Sequence, residues 1–93
     1  MKFNFLTLIF FFTNSIIFCQ IITGKVVDEY NQPIQEANIL NKNTDQHTHS
    51  NELGVFTLEN GSVGDTLGAS FIGYLTELTT IKDLKNPLII VLY

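Results

Sequence analysis

Ninety-three residues, five lysines, no arginine and a formal net charge of −4 leave room for one small domain and exclude a nucleic-acid binder, which needs a basic face. A domain of this size has a thin core, so a function built on a deeply buried pocket is not expected.

Met1–Phe18 opens with one positive charge, Lys2, followed by an apolar run broken only by Thr7 and the Thr13-Asn-Ser15 patch. A charged start, an apolar middle of roughly 7–15 residues and a cleavage point are the parts of a secretory signal peptide. The expected cut lies between Cys19 and Gln20. Cys19 is small enough for the last position, although Ile17 is bulky where alanine is preferred. One competing reading is a transmembrane anchor, which needs ~20 clean apolar residues. Another makes Cys19 the lipidated first residue of a lipoprotein, tethering the domain to a membrane; that processing asks for a small residue before the cysteine, and Phe18 is large. After a cut at Cys19, residues 20–93 contain no cysteine and hence no disulfide. Four lysines (Lys25, Lys42, Lys82, Lys85) against all nine acids then give a net charge of −5.

The rest of the chain reads as short strands separated by turns. Ile21–Val27 is a β-rich opening strand with Ile22, Gly24 and Val26 on one face. Asp28–Pro33 has the polar, proline-containing make-up of a hairpin loop. Ala37–Asn41 is a second strand, with Ala37 and Ile39 on its apolar side, and Asn43–Asp45 is a turn. Gln46–Ser50 is a short polar strand of the kind found at a sheet edge. After the turn Asn51–Gly54, Val55–Glu59 directs Phe56 and Leu58 inward. Asp65–Tyr74 is the stretch around which the other strands are organised: Leu67, Ala69 and Phe71 fall on one face, and Gly73 breaks the run. Leu75–Ile81 alternates weakly, Lys82–Pro87 is a loop, and Leu88–Tyr93 is an unbroken apolar strand.

Seven short strands with turn signals every 8–12 residues predict an all-β, seven-stranded antiparallel β-sandwich rather than a helical or α/β fold. No segment carries helical periodicity, and there is neither an internal repeat nor a low-complexity linker.

The order of motifs resembles the carboxypeptidase-regulatory-like domain, a transthyretin-like β-sandwich. Ile22-Thr-Gly-Lys-Val-Val-Asp28 resembles the family's first strand with its acidic exit, and Gln32-Pro-Ile34 followed by Ala37-Asn-Ile39 its proline loop and second strand. Ser50-Asn-Glu-Leu-Gly-Val-Phe-Thr-Leu58 resembles its Thr-Asp-x-x-Gly-x-Phe-x-Leu hairpin, and Asp65-Thr-Leu67 with Ser70-Phe-Ile-Gly-Tyr74 its most recognisable strand. Two positions depart from the pattern. Asn51 replaces an aspartate, which puts any role needing charge there in doubt, and Gly68 replaces a branched residue, marking a candidate bulge. Domains of this kind follow signal peptides at the front of TonB-dependent outer-membrane receptors, ahead of the plug. The resemblance therefore implies a periplasmic module, or one on the periplasmic side of the outer membrane, partnered by a receptor's plug and barrel or another envelope protein. The chain itself is expected to contain neither plug nor barrel.

His47-Thr-His49 is the one grouping with ligand character. Residues two apart on a strand point the same way, so both imidazoles could face one zinc or copper ion, with Asp45 or Glu52 as a third ligand. Two solvent-facing histidines on a polar edge strand is the preferred reading, and no metal or cofactor is expected. No nucleophile–base pair is present, so no catalytic residue is assigned. Asp28, Glu29 and Asn51 read as turn residues, Asp65 as the residue opening its strand, and Tyr74 as a rim aromatic. The expected function is a non-catalytic structural or interaction module of the periplasm, resembling the N-terminal extension of a TonB-dependent receptor in nutrient uptake. The alternative is a free-standing periplasmic binding module with a weak metal site at His47 and His49. Partner recognition through an exposed sheet edge, either that of His47 and His49 or the terminal strand ending in Tyr93, suits both.

Overall fold

The computed structural model describes residues 20–93; the signal peptide expected over residues 1–19 and the alternative fates of Cys19 lie outside the described residues. Seven strands form: β1 (Ile21–Asp28), β2 (Asn38–Asn41), β3 (His47–His49), β4 (Val55–Glu59), β5 (Thr66–Ser70), β6 (Glu77–Thr80) and β7 (Leu88–Leu92). They stack as a three-stranded sheet, β4-β1-β7, on a four-stranded sheet, β3-β2-β5-β6. The result is the expected all-β sandwich, and β5 lies inside its sheet, between β2 and β6.

Period-two patterning decides what faces inward. β1 buries Ile22, Gly24 and Val26; β4 buries Phe56 and Leu58; β7 buries Ile90 and Leu92. The facing sheet supplies Ile39 from β2 and Leu67 and Ala69 from β5, while Ile34, Ala37 and Ile81 close the core from the loops. Each fully buried aliphatic or aromatic side chain contributes on the order of 1.5–3 kcal/mol relative to exposure. With only one or two such residues from each of β1, β2, β4, β5 and β7, no layer is dispensable. Phe71 lies beyond the end of β5 and is only partly buried, packed against the core from its rim.

Three local expectations are revised. First, β1 and β7 pair in parallel, from Gly24↔Leu88 to Asp28↔Leu92, whereas the other strand pairs are antiparallel. The five intervening strands make the crossover that a parallel pair requires. Second, Asp28–Pro33 is not a hairpin, because β1 and β2 belong to different sheets. A single bridge, Val27↔Pro33, starts a hairpin-like return before the chain crosses over. The turn itself is built by Asp28, whose Oδ1 accepts the Tyr30 and Gln32 N–H groups at 2.9 Å, and by Asn31 at φ 64°. Such chemistry closes a hairpin or a crossover equally well. Third, Gly68 marks no bulge: the β2–β5 register runs without a break from Asn38↔Ser70 to Asn41↔Leu67.

The two strand glycines differ in what surrounds them. Gly24 pairs across the sheet with Phe56 and Leu88. A Cβ there would run into the Phe56 ring and come to 2.6 Å from the Leu88 carbonyl oxygen. At Gly68 a Cβ would meet only the mobile ends of Leu78, at 3.4 Å, and Lys42, at 3.8 Å. Gly24→Ala should therefore lower stability by about 1–3 kcal/mol through overpacking. Gly68→Ala should stay within about 0.5 kcal/mol of the parent. Urea midpoints measured at constant m-value report both, and equal effects at the two positions would refute this account of Gly24.

Candidate interaction surfaces

His47 and His49 stand side by side on the outer face of the four-stranded sheet, opposite Leu40 and Asn38, and both are exposed. β3 is an edge strand, so its three residues pair on one side only. Among the described residues, no three of His, Cys, Asp and Glu come together as a metal-holding group, so neither Asp45 nor Glu52 completes a site with the two imidazoles.

Polar chemistry is instead concentrated where the chain must be held together. Asn41, fully buried, continues the inward face of Ile39. Its Nδ2 donates to Asp65 Oδ2 at 2.9 Å and its Oδ1 accepts the Asn43 N–H at 2.8 Å. Asp65 Oδ2 also accepts the Ser62 N–H at 3.0 Å, and Asn43 Oδ1 accepts the Thr66 N–H at 2.9 Å. Asp65 thus does more than open β5: it joins the turn before β5 to the interior of β2. An inward-facing asparagine at the apolar period of β2 was the sequence signal for this junction. Ser50 plays a similar role: its buried hydroxyl donates to the Ile34 carbonyl at 2.6 Å and accepts the Ala37 N–H at 2.9 Å. Asn51 closes its turn by accepting the Leu53 and Val55 N–H groups on Oδ1 at 2.9 and 3.0 Å, which a neutral amide does as well as a carboxylate. These groups are hydrogen-bonded within the fold rather than aimed at a reacting atom.

The edges differ sharply. β3 is three residues long and carries two histidines, while β4 ends on Glu59 and β6 begins on Glu77. Charge and shortness are how edges avoid unwanted pairing. β7, Leu-Ile-Ile-Val-Leu, has no charge at all, and its outward Ile89 is 57% exposed. Beyond β7 the surface stays apolar. The Leu75 N–H donates to the Tyr93 carbonyl at 2.8 Å, bringing the exposed Ile72 and Leu75 of the β5–β6 turn to the side of the exposed Tyr93. Beside this tip, Asp28, Pro33 and Glu36 face Phe71 and Tyr74 across an open groove of ≈ 460 Å³.

Together these features describe a small β-sandwich module whose distinctive surfaces are one bare edge and one apolar, grooved end. The sequence profile of the CarboxypepD_reg-like domain matches residues 22–92, and the chain belongs to that family. A search of curated protein sequences finds no match. Among solved structures, the chain is similar to one in a type II cohesin–X-dockerin complex from Acetivibrio cellulolyticus, an N-terminal interface mutant. The TM-score is 0.63 at 11% identity, over 80% of this chain and 57% of that one. At this identity the likeness is one of fold. Family and fold are consistent with a non-catalytic role.

Two predictions test the polar framework. Asp65→Ala leaves the buried Asn41 amide without its acceptor and should cost about 1–3 kcal/mol, read as a lowered urea midpoint. In the loop before β7, Asp83 Oδ1 accepts the Lys85 and Asn86 N–H groups at 2.9 and 3.0 Å. The Asn86 and then the Lys85 backbone bonds hold the Asp83 carboxyl below its ordinary value of 3.8. A carboxyl depressed in the folded state stabilises above its unfolded pKa, and that contribution is lost as pH falls through the folded one. The Lys85 and Asn86 amide resonances should therefore shift on acidification with a midpoint below 3.8. A midpoint at or above that value would contradict the assignment.

Proposed function

We propose that this protein is a non-catalytic interaction module of the periplasm, exported by a signal peptide cleaved after Cys19. It acts as the N-terminal extension of a TonB-dependent outer-membrane receptor in nutrient uptake. The observation that carries the interaction role is β7: an uncharged, strongly β-forming edge strand ready to pair with an extended segment of another protein. Main-chain pairing supplies affinity in such a joint, and the apolar tip around Ile72, Leu75 and Tyr93 extends the contact. The family supports the reading, and so does the similar solved sandwich, which is found in a cohesin–X-dockerin complex. The envelope setting is supported by the charged and apolar make-up of Met1–Phe18.

The test is in-cell cross-linking in the native host, followed by intact-mass analysis of periplasmic and outer-membrane fractions. It compares the parent with Ile89→Glu, which sets a charge on the bare edge opposite Lys25 while leaving the core alone. The parent should cross-link to an outer-membrane protein, or be found within one, and the variant should lose most of that yield. Equal yields would remove β7 from the interface. A parent recovered only as a soluble species starting at Gln20, with no partner, would overturn the receptor role.

A further inference from the structure

We propose that the groove between the β1–β2 crossover and the β5–β6 turn seats an arginine side chain from an extended segment of the partner protein. The proposal rests on the interaction-module reading and names the chemistry of its partner. The groove has a volume of ≈ 460 Å³. That is within the size range of sites that take small ligand groups.

Its two walls come from distant parts of the chain. One is acidic. Asp28 is held in place by the two N–H groups its Oδ1 accepts, from Tyr30 and Gln32. Glu36 adopts φ 66°. Four non-glycine residues among those described have positive φ, and Asn31, Asp45 and Asn60 are of the types that tolerate it. Glu36 is the exception, with a conformational cost on the order of 1–3 kcal/mol. Glycine would relieve that strain and would remove the carboxylate. The strained backbone is fixed by the Glu36 N–H donating to the Ser50 carbonyl at 2.9 Å, and by the Ser50 hydroxyl bonding Ile34 and Ala37 on either side.

The other wall is aromatic. The Tyr74 N–H donates to the Phe71 carbonyl at 3.1 Å, closing a turn with Gly73 at φ 91° in its third position, where a type II turn demands glycine. This brings the Phe71 and Tyr74 rings together, centroids 6.2 Å apart and inclined at 41°. Both rings are half-buried.

Two carboxylates facing two aromatic rings, with no lysine among the lining residues, select a cation. A guanidinium suits both walls at once: its flat face stacks on a ring and its fork of donors reaches carboxylates. A purely apolar side chain would cover the carboxylates without pairing them, and an anion would be repelled. The chain's net charge of −4 attracts a basic segment from a distance. Position links the groove to the edge proposed above: Asp28 is the register partner of Leu92, the last residue of β7.

The experiment is an NMR titration of the ¹⁵N-labelled protein, in the form its host exports, with acetyl-Gly-Arg-Gly-amide, the Lys and Gln analogues serving as comparators. The arginine peptide should give saturable amide shifts confined to Asp28, Gln35, Glu36, Phe71 and Tyr74. The lysine peptide should bind more weakly and the glutamine peptide should give no localised shifts. The double variant Asp28→Asn/Glu36→Gln keeps both side-chain shapes and should weaken arginine binding about tenfold. Shifts spread over acidic residues elsewhere, equal binding of the glutamine peptide, or an unchanged double variant would each overturn the proposal. Cross-linking to a partner by the parent, without arginine-specific shifts, would sink the groove and leave the interaction module standing. Arginine-specific shifts with no cross-linked partner would overturn the protein partner and leave a site for a free guanidinium compound.

Discussion

The contact of the Phe56 ring with the bare backbone of Gly24 is the constraint on which the rest of the sandwich depends. β1 is the middle strand of its sheet, hydrogen-bonded to β4 on one side and β7 on the other. Gly24 is in register with both Phe56 and Leu88, so all three strands meet at this one residue. Phe56 is the largest fully buried side chain, and it finds room because Gly24 has no Cβ. In a core cluster to which no strand contributes more than two side chains, a ring displaced here has nowhere to go except toward the facing sheet, where Ile39, Leu67 and Ala69 are already fully buried. The glycine at the third position of the opening motif is thus a packing residue, not a turn residue.

Much of this architecture was legible in the sequence. Alternation placed Ile22, Val26, Phe56, Leu58, Leu67 and Ala69 on inward faces, and all are buried. Turn chemistry located most breaks to within a residue or two of the observed strand ends, the exception being β5, which stops at Ser70 rather than running on to the Gly73 turn. What could not be read was which strand lies beside which. The Asp28–Pro33 loop carries hairpin chemistry, yet its strands part into different sheets, because pairing is settled by burial across the whole domain. The parallel β1–β7 pair has the same origin: two apolar strands at opposite ends of the sequence carry no local mark of their mutual direction. Gly68 looked like a bulge because a glycine inside a strand often is one. Here it lies on the outer face beneath the exposed Leu78 and interrupts nothing.

The surfaces follow a similar division. The histidine pair was visible by spacing alone, since period two puts His47 and His49 on one face regardless of the fold. The acidic and aromatic groove was not visible, because its walls come from residues 28–36 and 71–74 and each half reads on its own as a turn. Glu36 is a clear instance. In the sequence it is one acid among nine; in the fold its left-handed backbone and the Ser50 clamp set it at the rim of a cavity. The Asn41–Asp65 junction lies between these cases, betrayed by a polar residue at an apolar period but unreadable as to its partner.

The parallel pairing of β1 and β7 also has a mechanical meaning. The first strand begins at one pole of the sandwich and the last strand finishes at the other, with the two lying side by side. A pull between Gln20 and Tyr93 would run along both strands. It would load the five pairs from Gly24↔Leu88 to Asp28↔Leu92 together, in shear, instead of peeling them apart one after another. Strands sheared in this way yield only when the whole row of backbone bonds gives way at once. A sandwich strung this way transmits tension along its length while its core stays closed, and the bonds that bear the load are the same ones that hold its central strand in place.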